Sequence, residues 1–296
     1  MTDWSHTSIT PITYFDGWCA KREDYAFKSG ANTPSGLKVR QFVKMCSDNP
    51  GVPMVVGCSA DSAMQIYVAW ASKQLGVPAT IFVPRRKKKS SATKYAMAMG
   101  AEVHEVYPGY ATVYRKHARD YVRAIGGAVR WNPFQAIHDT AMQCMNLPTD
   151  VKRVVVPTGS GLVAAGVMAG LAIMRRPDIE VVAVCVSDLA NEDNIRHNCN
   201  VMVDAVTKAY YDPILRPEIP VLSMERSSGG YGDWVFETMP DNSVLDPFYS
   251  AKAMPYIRDG DCLWASGMRP YDSCPDEWKI LFDEHQKNII ANCASF

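Results

Sequence analysis

A lysine at residue 38 and a glycine turn at residues 158–162 carry most of the chemistry legible in this chain. Lys38 follows Ser35-Gly36-Leu37 and opens an apolar stretch with Val39, Phe42, Val43 and Met45. A lysine just past a glycine turn, at the start of an apolar helix, is placed to be partly buried. Burial lowers its pKa and makes the amine a nucleophile toward a carbonyl. With 31 Lys and Arg in the chain, a solvated lysine at a helix start is the commoner outcome of such a pattern. The second feature lies in RVVVPTGSGLVAAGVMAGL, residues 153–171. An apolar run, Arg153–Pro157, meets Thr158-Gly159-Ser160-Gly161, and a small-residue helical stretch follows from Leu162. Glycines allow a tight turn and close approach to a ligand. The free amides at a helix start then favour an anion such as phosphate. The spacing is not G-x-G-x-x-G and no Lys-Ser/Thr follows, so neither a dinucleotide fingerprint nor a P-loop is present. An ordinary tight turn would use the same residues.

The elements that must position these groups alternate between strand and helix. Val52–Gly57, Thr80–Val83, Glu102–Val106, Arg153–Pro157, Glu180–Val186 and Asp261–Ala265 read as strands. Residues 62–75, Lys94–Met99 and Leu162–Met174 read as helices. Such alternation predicts an α/β protein built on a parallel sheet with crossover helices. Ala164, Ala165, Gly166, Ala169 and Gly170 are expected to let their helix pack closely on a sheet.

Composition bounds the rest. The chain has 296 residues, 31 Lys and Arg against 31 Asp and Glu, 47% hydrophobic and 21% charged residues. That is ordinary for a globular protein and excludes a disordered chain or a highly charged nucleic-acid coat. Nine cysteines without a C-x-x-C pair point to a reducing compartment rather than a disulfide scaffold. No apolar run approaches the roughly 20 residues that span a bilayer, and MTDWSHTSIT lacks the basic and apolar regions of a signal peptide. The expected location is cytoplasmic.

In this order the segments resemble the fold type II pyridoxal-phosphate enzymes, the tryptophan synthase β-like superfamily. The nearest branch is that of 1-aminocyclopropane-1-carboxylate (ACC) deaminase and D-cysteine desulfhydrase. Lys21-Arg22-Glu23-Asp24 followed by Gly36–Arg40 matches that branch's K-R-E-D … G-N-K-x-R stretch. Leu75-Gly76, the strand from Thr80 and Gly100-Ala101-Glu102-Val103 match its L-G … strand … G-A-E-V run. Asp246–Met254, DPFYSAKAM, resembles D-P-V-Y-x-G-K-x-M. The resemblance implies a two-lobed fold, with a smaller lobe over residues 46–140 and a larger, cofactor-binding lobe from residues 1–45 and 141–296. It implies that Lys38 forms the Schiff base with pyridoxal 5′-phosphate. It also implies that Thr158, Gly159, Ser160, Gly161 and Leu162 hold the phosphate, and that Tyr249 lies near the cofactor ring or substrate. Ser250 or Ser266 would face the pyridine nitrogen. A neutral hydroxyl there leaves that nitrogen unprotonated and suits elimination or a single bond cleavage better than transamination. A homodimer is expected.

Two departures stand out. Leu37 replaces the branch's Asn before the lysine. After the first predicted strand, the family's Ser/Thr-x-Gly-Asn loop, which grips the substrate carboxylate and the ring oxygen, here reads Gly57-Cys58-Ser59-Ala60-Asp61-Ser62. Ser59, Asp61 and Ser62 are therefore the candidate substrate contacts, with Ser62 also facing the cofactor. An acid beside a bound carboxylate is repulsive by about 4 kcal/mol at 4 Å and an effective dielectric near 20. Loss of CO2 would relieve that repulsion, so Asp61 points to decarboxylation. Alternatively, Asp61 caps the helix that follows. Arg85-Arg86-Lys87-Lys88-Lys89 forms a local anion-binding surface, for which a phosphate backbone is the natural partner, or else a solvated loop.

The histidines His104, His117, His138, His197 and His285 lack metal-ligand spacing. Trp131, Tyr210, Tyr211, Tyr231 and Trp234 read as core or pocket walls. The favoured reading is a pyridoxal-phosphate lyase that decarboxylates an amino acid carried on a nucleotide or DNA base. Bacteriophage thymine-hypermodification pathways include enzymes of that kind. The alternative enzyme eliminates or deaminates a free amino acid, as D-cysteine desulfhydrase and ACC deaminase do. Lys38 and the glycine turn argue against a binding protein that only kept the fold.

Overall fold

The computed structural model describes residues 8–26, 32–129, 131–210 and 216–294; Tyr211 lies outside them. The chain divides into two compact units. One takes Phe27–Trp131 and Gly267–Ile280, the other Thr7–Ala26, Asn132–Ser266 and Leu281–Phe296.

The first unit is built on three parallel strands, β3 (Met54–Gly57), β4 (Ala79–Pro84) and β5 (Glu102–Val106), in the order β3-β4-β5. Helices α1 (Leu37–Asp48), α2 (Met64–Leu75), α3 (Ser91–Ala98) and α4 (Ala111–Ala124) surround them. Helix α2 is buried all round from Gln65 to Ser72, whereas α1 and α4 each bury one apolar stripe. In α1 the stripe is Val39, Phe42, Val43 and Cys46, and in α4 it is Tyr114 and Ala118. Helix α2 stops where Gly76 turns left-handed at φ 66°, a frequent helix end. Helix α3 starts on Ser90, whose hydroxyl accepts from the Thr93 amide.

The second unit holds a six-stranded sheet in the order β1-β2-β9-β6-β7-β8. Its strands are β1 (Ile12–Tyr14), β2 (Cys19–Arg22), β6 (Arg153–Thr158), β7 (Glu180–Cys185), β8 (Leu222–Arg226) and β9 (Asp261–Ala265). All pairs are parallel except β1–β2. Helices α5 (Pro133–Gln143), α6 (Leu162–Ile173), α7 (Glu192–Tyr210) and the short α8 (Ser250–Ala253) belong to this unit, and α9 spans Asp276–Ala294. Strand β6 buries Val154, Val155 and Val156 completely. Such a doubly covered parallel strand reads as an unbroken apolar run.

The α/β class with parallel sheets stands as expected. Several expectations about single elements change. Helix α2 begins at Met64 with Ala63 at its cap position, so Asp61 does not cap it. The glycines of α6 face a helix rather than a sheet. A Cβ on Gly166 would lie 2.5 Å from Thr140 Cβ, and one on Gly170 would lie 2.6 Å from the Ala141 carbonyl, both on α5. Among the described residues no helix is long and apolar enough to cross a membrane.

The K-R-E-D stretch is a buried polar core. Lys21 donates to the Thr10 carbonyl at 2.7 Å and to Asn146 Oδ1 at 2.6 Å. Glu23 accepts from the Thr10 hydroxyl at 2.7 Å. Arg22 holds Asp24 through two bonds, of 2.9 and 2.8 Å, and Asp241 through a third of 2.8 Å. Buried charges persist only when paired in this way.

Candidate active site

The candidate residues fall in both units. In the first, Lys38 is the second residue of α1 and is half-buried. Its position follows from the turn before it. Gly36 adopts φ 105°, a region that residues with a Cβ avoid. Its Cα side packs directly on backbone, since a Cβ there would sit 2.3 Å from Gly267 Cα. A Cβ on Gly267 would in turn sit 1.9 Å from the Ser35 carbonyl oxygen. Two hydrogen bonds lock the crossing: the Ser35 amide to the Met268 carbonyl at 3.0 Å, and the Met268 amide to Ser35 Oγ at 2.9 Å.

The loop after β3 is tied down by its neighbours. Gln65 of α2 donates to the Ser59 and Ala60 carbonyls at 3.1 and 2.7 Å, and is itself held by the Thr93 hydroxyl at 2.9 Å. Ser90 also donates to the Ala60 carbonyl. Ser62 is committed within the loop: its amide donates to the Ser59 carbonyl at 3.1 Å and its hydroxyl accepts from the Met64 amide at 3.3 Å. Burial pushes the neighbouring Cys58 thiol up to about 12, so it stays protonated and unreactive.

Asp61 sits in an ion pair that the sequence did not announce. Arg86 of the basic run reaches it through two bonds, at 2.7 and 3.2 Å. Arg269 donates to the Asp61 carbonyl at 3.3 Å. The five cations are therefore not equivalent. Arg86 belongs to Asp61, Lys89 pairs with Glu105 at 2.6 Å, and Arg85, Lys87 and Lys88 are exposed.

In the second unit the glycine turn leads from β6 into α6. Thr158 is buried and its hydroxyl accepts from the Gly161 amide at 3.1 Å. Gly161 turns left-handed at φ 85°, and Leu162 is the first residue of α6. Ser160 is exposed at the tip, and the Gly159 carbonyl accepts from Ser187 at 2.5 Å. A Cβ on Gly159 would meet Tyr249 Oη at 3.0 Å. The two glycines keep side chains off the turn at the amides of a twelve-residue helix, and these residues fit a phosphate group.

Tyr249 is fixed from below. Asp246 accepts from the Phe248 and Tyr249 amides at 3.0 and 3.1 Å. The Tyr249 hydroxyl lies 2.7 Å from that of Tyr231, with the two rings at 89° to each other. Tyr231, read from sequence only as a pocket wall, is the partner that sequence reasoning missed. The loop carrying it is held by Lys252, which donates to the Gly230 carbonyl at 2.7 Å. Ser250 is fully buried and accepts from the Ser266 amide at 2.9 Å. Ser266 follows the end of β9 and is half-buried.

A lysine set at a helix start by a glycine crossing, and a glycine turn at the head of another helix on a parallel sheet, are the residue types that a phosphorylated carbonyl cofactor requires. Residues 10–231 match the model of the pyridoxal-phosphate dependent enzymes, and the chain belongs to that family. Its cofactor is pyridoxal 5′-phosphate. L-threonine ammonia-lyase of Thermotoga maritima is 33% identical over 136 residues, 44% of this chain. The match spans only 33% of that relative's length. The structure of an ACC deaminase homologue superposes with a TM-score of 0.67 at 17% identity, over 88% of this chain and 89% of that one. Holo diaminopropionate ammonia lyase from Escherichia coli gives a TM-score of 0.60 at 14% identity, over 92% and 87%. These structural likenesses show the fold, which the chain shares with those enzymes.

The glycine turn can be tested without any substrate. Gly159→Asp adds a side chain against Tyr249 and a negative charge at the head of α6. The variant is expected to keep its circular dichroism spectrum and lose pyridoxal phosphate on dialysis, read by absorbance. Normal cofactor occupancy would place the phosphate elsewhere.

Proposed function

We propose that this protein is a pyridoxal-phosphate lyase that breaks a bond at the α-carbon of an amino-acid substrate. The favoured reaction is decarboxylation of an amino acid carried on a nucleotide or DNA base. The cofactor, when bound, serves as an electron sink for the cleaved bond. Lys38 holds it and afterwards exchanges a proton at the α-carbon through Nζ. Tyr249 is the second proton-handling group, and Tyr231 shares its hydroxyl proton and keeps it oriented. Thr158, Gly159, Ser160, Gly161 and Leu162 hold the phosphate. Ser250 or Ser266 faces the pyridine nitrogen; the Ser250 hydroxyl accepts from the Ser266 amide and keeps its own proton free to donate.

The observation that carries the reaction is the loop at residues 59–62. Its Ser62 amide is used internally and its hydroxyl accepts from the Met64 amide, and the loop presents an acid where the family has glycine and a serine where it has asparagine. A loop of this kind grips a carboxylate weakly, and a weakly held carboxylate is free to leave. One observation favours a second reading, elimination or deamination of a free amino acid. Arg86 matches the charge of Asp61, so the repulsion felt by a substrate carboxylate is smaller than for a lone acid.

Asp61→Asn separates the two. It removes the acid and frees Arg86, so a carboxylate substrate should bind more tightly, with KM lower by up to about tenfold given that Arg86 is half-exposed. A decarboxylase should then lose kcat, because the carboxylate that must leave is now held. A deaminating lyase should keep its kcat. Mass spectrometry of the products reads the bond directly: loss of CO2 supports the favoured reaction, and loss of ammonia with intact carboxyl rejects it.

A further inference from the structure

The edge of the first unit's sheet carries more than the loop at residues 59–62. The order β3-β4-β5 sets three loops side by side at the carboxyl ends of the strands: residues 58–62, 85–89 and 107–110. Parallel α/β sheets bind ligands at that edge. Neighbouring loops are joined. Arg86 pairs with Asp61 across the first gap, and the Arg85 amide donates to the Val106 carbonyl at 2.7 Å across the second. The three loops form one continuous strip.

The chemistry of the strip is one-sided. Arg85, Lys87 and Lys88 are exposed beside the paired Arg86. Next to them the tip Tyr107-Pro108-Gly109-Tyr110 holds two tyrosines that are 83% and 88% exposed. Single exposed apolar residues are ordinary, but two aromatic rings bared on one four-residue tip beside a basic run are not. Charge is also segregated along the chain. Residues 27–131 contain 16 Lys and Arg against 5 Asp and Glu, although the whole chain is balanced at 31 each.

We propose that this strip binds single-stranded nucleic acid, with phosphates on Arg85, Lys87 and Lys88 and bases stacked on Tyr107 and Tyr110. Cations that track a backbone and aromatic rings that accept any base are the two components of such sites. The strand then leads to the loop at residues 58–62 and delivers the amino acid it carries. That last step rests on the lyase reading above; the binding does not. A duplex would use the cations but leave the rings without unpaired bases. An anionic membrane would want Leu, Phe or Trp to insert, and the tip has none.

The test is fluorescence anisotropy of a labelled thymidine oligonucleotide of about 12 nucleotides, titrated with the holoenzyme at rising salt. Binding should weaken steeply with salt. Replacing Arg85, Lys87 and Lys88 together by Ala should lower the affinity at least about 100-fold at low salt. It should also reduce the slope of log affinity against log salt by about 2, at about 0.7 per lost single-strand phosphate contact. Tyr107→Ala with Tyr110→Ala should cost about tenfold or more and leave the slope unchanged. Both variants should keep the cofactor absorbance. No binding at low salt, or binding indifferent to both variants, overturns the proposal. So does equal binding of duplex with harmless tyrosine changes, or stronger binding to phosphatidylserine vesicles through the same residues. Oligonucleotide binding by a protein without lyase activity would leave the strip standing and sink the proposed reaction. Activity on free amino acids without oligonucleotide binding would sink the strip alone.

Discussion

Lys38→Ala is expected to reduce turnover by at least about 1000-fold, the scale lost when a covalent anchor and a proton-transfer group are removed together. The change should be nearly silent for folding. Lys38 is half-buried on the first turn of α1, and Ala is the best helix former. The Gly36–Gly267 crossing that sets the turn does not involve its side chain. The wild-type protein should be yellow, and borohydride should fix the cofactor on the peptide containing residue 38. In the variant that label should vanish, and exogenous amines should restore part of the activity. A label recovered on another lysine would reject Lys38, whereas loss of the fold would show that the lysine is structural.

The second large effect concerns stability. Arg22→Ala should destabilise the protein by about 3–5 kcal/mol, the cost of breaking a buried pair and leaving its partner charged. The Arg22 side chain is fully buried and that of Asp24 is 7% exposed. Arg22 also covers the Tyr25 ring at 3.9 Å. Removing both charges, as Arg22→Met with Asp24→Leu, should recover most of the loss, and denaturant midpoints of the single and double variants would measure the coupling. A pH dependence follows. Burial works to raise the Asp241 carboxyl, but Ser243 and then Arg22 outweigh it and hold the group below the usual carboxylate range. Its folded pKa is therefore below its unfolded value of about 4. The stability it contributes is present above that value and is lost as pH falls through the lowered one. Arg22→Ala should flatten this acid limb. An unchanged acid limb would mean that Ser243 alone holds Asp241.

What the sequence disclosed, and what it withheld, divides along the range of the interactions. Glu102–Val106 and Asp261–Ala265 were legible to the residue, because each starts within two residues of a glycine turn, at Gly100 and at Gly260. The parallel α/β class followed from the alternation of such runs. Strand β2 was not legible. Cys19-Ala20-Lys21-Arg22 carries two charges; Asp24 meets Arg22 locally, but the rest of their partners, Thr10, Asn146 and Asp241, come from elsewhere in the chain. The same holds at the candidate site. A glycine turn and a lysine can be read locally. The Asp61–Arg86 pair spans 25 residues and the Tyr231–Tyr249 pair 18, so neither follows from a pattern in one segment. The expectation that Asp61 caps a helix failed because the loop is held by Gln65, Ser90 and Thr93, which delay the start of α2 to Met64.

The glycine crossing also dictates when the protein can be finished. The turn that fixes the start of α1 is closed by Gly267 and Met268, more than 200 residues downstream. On a ribosome adding about 5–20 residues per second, the first unit must wait at least about ten seconds between making Lys38 and receiving the backbone that seats it. During that interval the strip of cations and bare tyrosines is already synthesised while its scaffold is incomplete. Nascent chains of this protein are thus expected to depend on chaperones or on late, concerted closure, as contacts of such long sequence separation form slowly. Ribosome-bound chains arrested before residue 267 should be cut by protease within residues 32–48, and released full-length chains should be protected there.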